Sequence, residues 1–448
     1  MSVKQKSANW DALGMPEAPA PPESLKEAGL TAGFVNEMIL RTLYARGAML
    51  GRDLAQYLCL PFKVIRDCLK FLKDEKCLEV AGGDLVGEVS YKFTLTDLGR
   101  QRAHDAMKQC AYIGPAPVPL DDYVEQCYRQ AVTGIGCTPD ALKASFTHLV
   151  LREELFNAIG PAIISGKSVF IYGPPGNGKT AIARSIGDFM NSSGGAIYVP
   201  YAFLADHSIV TVYDATVHQI DADAGLDYHE DGDATVRRLL STGNLDARWV
   251  RVRRPVIVTG GELTLNMLDL RYNADANFYQ APIHFKANGG VFLIDDFGRQ
   301  IISPKELLNR WILPLEDRHD YLTVASGKKF QVPFEQLIIF STNLDPKDLV
   351  DDAFLRRIRH KVQILAPERD VYDRIFANMC RKLGMSPAPD AIDYLYQRYY
   401  NAGRAPRASD ARDLLEIVQS ICRYRRQPVH LTRDLIAEAA STFIAEFS

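Results

Sequence analysis

The stretch GPPGNGKT, residues 173–180, sets Gly173, Gly176 and Gly178 around Pro174, Pro175 and Asn177, then ends on Lys179 and Thr180. Glycines at this spacing let successive backbone N–H groups turn inward around an anion, because no Cβ obstructs the bend. The lysine adds a fixed positive charge beside that anion, and the hydroxyl supplies an oxygen for a divalent cation. The run SVFIY precedes the motif and TAIARSIGDFM follows it. A strand should therefore deliver the loop, and a helix should carry Lys179, Thr180 and Ala181 away from it. The positive end of that helix faces the same anion. The chemistry implied is the holding of ATP phosphates together with Mg²⁺.

A second set of residues could complete such a site. GGVFLIDDFG gives four apolar residues and then Asp295 and Asp296. In an open parallel sheet the carboxyl ends of strands face the ligand crevice. Asp295 is expected to hold Mg²⁺ and Asp296 to orient an attacking water. A third apolar run, EQLIIFSTN, ends on Asn343, whose neutral amide could sit beside the last phosphate without adding negative charge. Downstream, DDAFLRRIRH sets Arg356 and Arg357 before another apolar strand, and GRAPRASDARDLLE sets Arg404, Arg407 and Arg412 at the start of a helix.

The elements that must position these residues divide the chain. Residues 1–27, rich in Pro, Ala and charge, read as a mobile arm. Residues 28–112 give three helical stripes, a strand pair around a glycine turn and a closing helix. Residues 113–140 read as a Pro/Gly-punctuated linker. An α/β segment over 141–368, with a parallel sheet flanked by helices, precedes an all-helical segment over 369–448. Lys and Arg number 52 against 55 Asp and Glu, so no global charge draws the chain to nucleic acid or membrane. The eight cysteines form no C-x-x-C pair, which fits reduced thiols in a cytoplasmic protein. The N-terminus lacks an apolar signal core and no apolar run is long enough to span a bilayer, so neither export nor membrane insertion is expected.

In order and spacing these motifs resemble the AAA+ ATPase family, over about residues 141–448. The resemblance implies Walker A at 173–180, Walker B at 291–296, sensor 1 at Asn343, and an arginine finger at Arg356 or Arg357. It places sensor 2 near Arg407 or Arg412, beside the nucleotide. It also implies an ATPase working as a homo-oligomeric ring, six subunits expected, that remodels protein or nucleoprotein complexes. The segments YLTV and KKFQVPF alternate around Ser326-Gly327, a hairpin signal. A hairpin at that place is similar to the pre-sensor-1 hairpin branch, which includes MoxR-like chaperones. No G-A-F-T-G-A stretch of the enhancer-binding activators is present.

Two features depart from the family. Asp296 stands where it usually has Glu, one methylene longer, so a slow-hydrolysing nucleotide switch or a DNA-associated scaffold is the competing expectation. The interval between the first two motifs is also long. It reads as a helix, a basic strand and a turn, in which the acidic run 227–233 with Arg248, Arg251, Arg253 and Arg254 could form an inter-subunit or substrate surface, or a plain solvated loop. The 28–112 segment resembles a winged-helix domain. Lys63, Arg66, Lys70 and Lys73 share one face of its third helix, the face such domains present to DNA. Interspersed acids nearly balance these charges, which favours docking of a protein partner over DNA. The client protein itself has no signature.

Overall fold

The computed structural model describes residues 16–83, 87–221, 245–349 and 352–444. Five short runs make its central sheet: β1 (Ser168–Tyr172), β2 (Val256–Thr259), β3 (Val291–Ile294), β4 (Leu337–Thr342) and β5 (His360–Gln363). They lie in the order β2-β3-β4-β1-β5, and every neighbouring pair is parallel. A parallel sheet is covered on both faces, so its strands are apolar throughout rather than alternating. Every residue of β3 and β4 is accordingly buried.

Successive side chains still point to opposite faces. Val169, Ile171, Leu293 and Ile339 share a core with Ile182, Ile186 and Phe189 of the helix Lys179–Gly194. Phe170, Phe292 and Phe340 share another with Phe297, Trp311 and Phe334 on the far side. This is the expected α/β fold, a parallel sheet flanked by helices. Its order matters for the site. β3, β4 and β1 are consecutive neighbours, and parallel strands end on one edge, so Asp295, Asn343 and Gly173 emerge side by side.

Helices Ala32–Arg46, Gly51–Tyr57, Phe62–Asp74 and Asp97–Gln109 pack with a three-stranded antiparallel sheet, Tyr91–Leu95 lying between Met49–Leu50 and Leu78–Gly83. The core of this region, with Ile39, Leu54, Ile65 and Phe93, continues without a break into Ala202 and Ile209. Those two residues belong to a second sheet, ordered Arg271–Asn273, Phe278–Gln280, Ser208–Thr211, Ala202–Ala205 and Val118–Pro119. The long interval between motifs is thus a folded insertion.

The helix and acidic run expected within it fall on 222–244, outside the described residues. Its basic strand, Trp249–Val252, pairs with Ile197–Pro200. Arg248 and Arg254, expected on a surface, are instead buried. The Arg248 guanidinium meets Asp246 at 2.8 Å and donates to the carbonyls of Ala28 (2.8 Å) and Pro117 (3.2 Å). Arg254 donates to the carbonyls of Gly194, Gln130 and Gly289. Both are internal braces, stable inside because their N–H groups find acceptors from distant segments. Arg251 pairs with Asp221 at 2.9 Å.

The stretch expected as a linker packs as well. Val118–Pro119 joins the second sheet, and helix Leu120–Arg129 buries Tyr123 and Cys127. Within the expected arm, residues 16–27 hold defined bonds. The Pro19 carbonyl accepts from the Asp246 N–H (2.8 Å), and Glu23 pairs with Lys63 (2.8 Å).

The anticipated hairpin is present as His319–Thr323 and Lys329–Pro333, turning at Gly327 with φ 82°. It is pinned at its base by Asp320, which takes both Arg310 N–H groups (2.7 and 3.0 Å) and His284 Nε2 (3.1 Å). Helices Arg369–Lys382, Pro389–Leu395, Ala408–Tyr424 and Arg433–Phe443 close the chain around Phe376, Leu395, Leu414 and Ile436. All eight cysteines are free thiols, and among the described residues no helix is long and apolar enough to cross a membrane.

Candidate nucleotide site

The loop leaves β1 at Tyr172 and enters the helix Lys179–Gly194 at Lys179. Gly173, Gly176 and Gly178 take φ of 139°, 79° and 82°, a region closed to most side chains. At Gly173 a Cβ would also stand 2.0 Å from the Ile364 carbonyl oxygen. The Pro174 carbonyl accepts from Asn177 Nδ2 at 3.4 Å, and Pro174 and Pro175 are exposed at the loop's crest. Ala181, half-buried in the first helical turn, accepts from Ser185 Oγ through its carbonyl.

Lys179 Nζ donates to the carbonyls of Gly173 (2.9 Å) and Pro174 (3.0 Å) and to Asn343 Oδ1 (2.7 Å). Burial pulls its pKa below the usual lysine value, against the opposing pull of Asp295 and Asp296. The Thr180 hydroxyl donates to Asp295 Oδ2 at 2.6 Å. Asn343 Nδ2 donates to Asp296 Oδ1 at 3.0 Å, so this amide bridges the lysine and the second acid. Asp296 is exposed and has φ 49°, a left-handed conformation that Asp tolerates better than most residues. Lys179, Thr180, Asp295, Asp296 and Asn343 form one bonded cluster at the carboxyl edge of three adjacent strands. A buried cation, a hydroxyl, two carboxylates and a glycine cradle can together hold a phosphate and a divalent ion.

Arg356 and Arg357 lie elsewhere. Ser168 Oγ, at the opening residue of β1, donates to the Arg357 carbonyl at 3.4 Å. The loop leaves from the other end of that five-residue strand, roughly 13 Å away at about 3.3 Å per residue. Both arginines are therefore at the edge of the sheet opposite their own loop. Arg357 Nε pairs with Glu316 at 2.5 Å, and Arg356 is exposed. Together with Lys167, Leu315 and Arg359 they line a cleft of about 430 Å³.

Of the C-terminal arginines, Arg407 reaches the loop, its Cδ lying 3.3 Å from where a Gly176 Cβ would be. Arg412 is turned onto Asp413 (2.8 Å), and Arg404 onto Asp410 (3.0 Å). Two neighbours of the site went unread in the sequence. Gln300 Nε2 fixes the Asp295 carbonyl at 2.8 Å, and the Ser409 N–H donates to the Gly176 carbonyl at 2.8 Å. Gln300, five positions after Asp295, was open to a sequence argument; Ser409 carries no such signal.

Fold and loop together define a P-loop α/β protein. Residues 368–442 match a family model described as a domain of unknown function (DUF8689). No curated protein matches the chain. Among solved structures, NtrX from Brucella abortus is similar at 17% identity and TM-score 0.39, over 66% of this chain and 56% of that one. The chain thus spans just over half of that neighbour. The Thermotoga maritima RuvB Holliday junction branch migration motor is similar at 14% identity and TM-score 0.34, covering 68% of this chain and 70% of that one. Domain III of the Thermotoga maritima replication initiation protein DnaA is similar at 13% identity and TM-score 0.37, covering 69% and 100%.

Proposed function

We propose that this chain is an AAA+ ATPase that binds ATP with Mg²⁺, hydrolyses it, and acts as a homo-oligomeric ring to remodel a protein or nucleoprotein complex. The observation that carries the reading is the convergence at one sheet edge: Lys179 Nζ 2.7 Å from Asn343, and Thr180 2.6 Å from Asp295. The donor set fits the metal, since a hydroxyl and a carboxylate are hard oxygen ligands of the kind Mg²⁺ takes. Thr180 and Asp295 would hold it, and when bound it neutralises charge on the phosphate oxygens. Lys179 would exchange its carbonyl partners for β- and γ-phosphate oxygens. Asp296 would orient the attacking water, with Asn343 fixing the carboxylate. Arg407 would lie over the phosphates from the C-terminal helices.

Arg356 and Arg357 face away from their own loop, which supports their serving a neighbouring subunit in a ring of six. The hairpin at 319–333 supports the MoxR-like branch. Four helices with a three-stranded sheet support the winged-helix reading of 28–112. On its candidate recognition face Lys63 is engaged by Glu23 and Arg66 by Asp67 (3.7 Å), which favours a protein client over DNA. The free thiols are in keeping with a cytoplasmic location.

A second reading, a slow-hydrolysing nucleotide switch that serves as a DNA-associated scaffold, draws on one observation: the short Asp296 carboxylate is already bonded to Asn343. Steady-state phosphate release with calorimetric ATP binding separates the two. Turnover that rises with protein concentration and vanishes in Lys179→Ala and Asp295→Ala supports the ATPase. Binding without turnover supports the switch. Unchanged ATP affinity in Lys179→Ala would sink both.

A further inference from the structure

The first N–H groups of a helix have no partner within it, and Ser, Thr, Asp or Asn usually supplies one from the N-cap position. Helix Ala408–Tyr424 opens instead on Arg407. Its first two N–H groups are satisfied from the nucleotide loop. Ala408 donates to Asn177 Oδ1 at 3.1 Å, and Ser409 donates to the Gly176 carbonyl at 2.8 Å. The contact joins residues 231 positions apart. Asn177 is buried, and its Nδ2 is held by the Pro174 carbonyl, so the side chain is fixed at both ends. A Cβ at Gly176 would stand 2.6 Å from Ser409 Oγ, so the two segments meet without a gap.

The capped turn is in turn fastened to the C-terminal core. Asp410 accepts from Arg404 (3.0 Å) and from the Tyr400 hydroxyl (3.2 Å), which lies 2.8 Å from the Tyr372 hydroxyl. All of these except Arg404 are buried. A shift of the Asn177 amide therefore acts on a rigid body rather than on a loose end.

We propose that Asn177 is a positioning residue that caps the helix Ala408–Tyr424 from outside, so that the conformation of the nucleotide loop sets the stability of that helix's first turn. Asn177 occupies a position at which the loop motif demands no residue type. Its amide oxygen accepts from the first turn of the C-terminal helix, and its nitrogen donates back into the loop at Pro174. This rests on the reading of the loop as an ATP site. A loop closed around phosphates holds Asn177 in place and tightens the cap; an open loop releases it. The C-terminal helices thereby sense the state of the nucleotide without touching it through this residue.

The test is hydrogen exchange on the full chain at the amides of 408–411. Without nucleotide, Asn177→Ala should exchange about fivefold faster there, the usual effect of losing one cap, with the middle of the same helix unchanged. Asn177→Asp keeps an acceptor for Ala408, so it should retain the protection while its added charge weakens ATP binding. Adding Mg²⁺ and a non-hydrolysable ATP analogue should slow exchange at 408–411 in the wild type and much less in Asn177→Ala. A residue that merely filled space would not give this nucleotide-dependent difference. Unchanged exchange in a folded Asn177→Ala, with its melting temperature as control, overturns the cap. Equal slowing by the analogue in both proteins overturns the coupling. Failure of the wild type to bind the analogue by calorimetry sinks the ATP reading, and the nucleotide-free comparison still decides the cap.

Discussion

Replacing Arg254 by alanine should cost about 3–5 kcal/mol, although nothing in the charge pattern marks it as more than a surface arginine. The guanidinium is buried and, among the described residues, no carboxylate pairs with it. Burial pulls its pKa down to about 10. Its charge is met by carbonyl oxygens alone: Gly289 at 2.6 Å, Gln130 at 2.9 Å and Gly194 at 3.0 Å. Removing it leaves three carbonyls without a donor, at roughly 1–3 kcal/mol each. Relief of an ion buried at a cost of several kcal/mol offsets part of that. The net matches the range seen when a buried charge network is broken from one side. The three acceptors lie at the end of the loop helix, just after helix Leu120–Arg129, and just ahead of β3. Urea unfolding followed by tryptophan fluorescence reads the loss, because Trp311 is buried against the central sheet and Trp249 opens the strand that runs up to Arg254. A shift of the first transition below about 1 kcal/mol would refute the claim that the carbonyls depend on this one cation.

Gly173→Ala should abolish ATP binding by calorimetry, since its Cβ would meet the Ile364 backbone at 2.0 Å; normal affinity would mean the loop can move aside. Arg357→Ala should bind ATP and lose hydrolysis by about 10³–10⁵-fold, and mixing it with Lys179→Ala should restore part of the rate. No rescue in assemblies shown to be mixed would place the finger elsewhere. Asp296→Glu should raise turnover if the shorter acid limits water activation, where a positioned base is worth about 10²–10⁴-fold; a fall would mean the site is built around Asp. At Asp214, burial alone would raise the carboxyl pKa, but hydrogen bonds from Lys286 and Thr216 outweigh it and hold the value at about 2 against 3.8 unperturbed. Its stabilisation, on the order of 2 kcal/mol, is thus complete above pH 3.8 and is lost as pH falls through about 2. Asp214→Asn should flatten that part of an acid titration; an identical profile would assign the acid sensitivity to other carboxylates.

The chemistry of the site was legible because it is local. GPPGNGKT needs only its flanking strand and helix to be recognised, and the apolar runs before Asp295 and Asn343 mark strands covered on both faces. Proximity was not legible. Nothing in the order of the motifs says that β4 lies between β3 and β1, yet that adjacency is what puts Asn343 on Lys179. The pairing of Ala408 with Asn177 depends on two chain segments meeting across the whole nucleotide domain. Arg248 and Arg254 misled for a related reason. A charged residue reads as solvated unless its acceptors are visible, and backbone carbonyls carry no sequence signal. Val118–Pro119 read as linker because a two-residue strand has no periodicity to detect.

A domain on a flexible tether samples many orientations, and whatever it captures is held only as a raised local concentration. Residues 28–112 have no such freedom, because Ala202 and Ile209 of the second sheet sit inside their core and Arg248 is fastened to the Ala28 carbonyl. Were the proposed client to dock there, it would be held in a fixed relation to the second sheet. Cutting the chain near residue 112 would not free a working module. It would strip apolar residues bare on both fragments, so any exchange of this region for another must carry its half of the shared core with it.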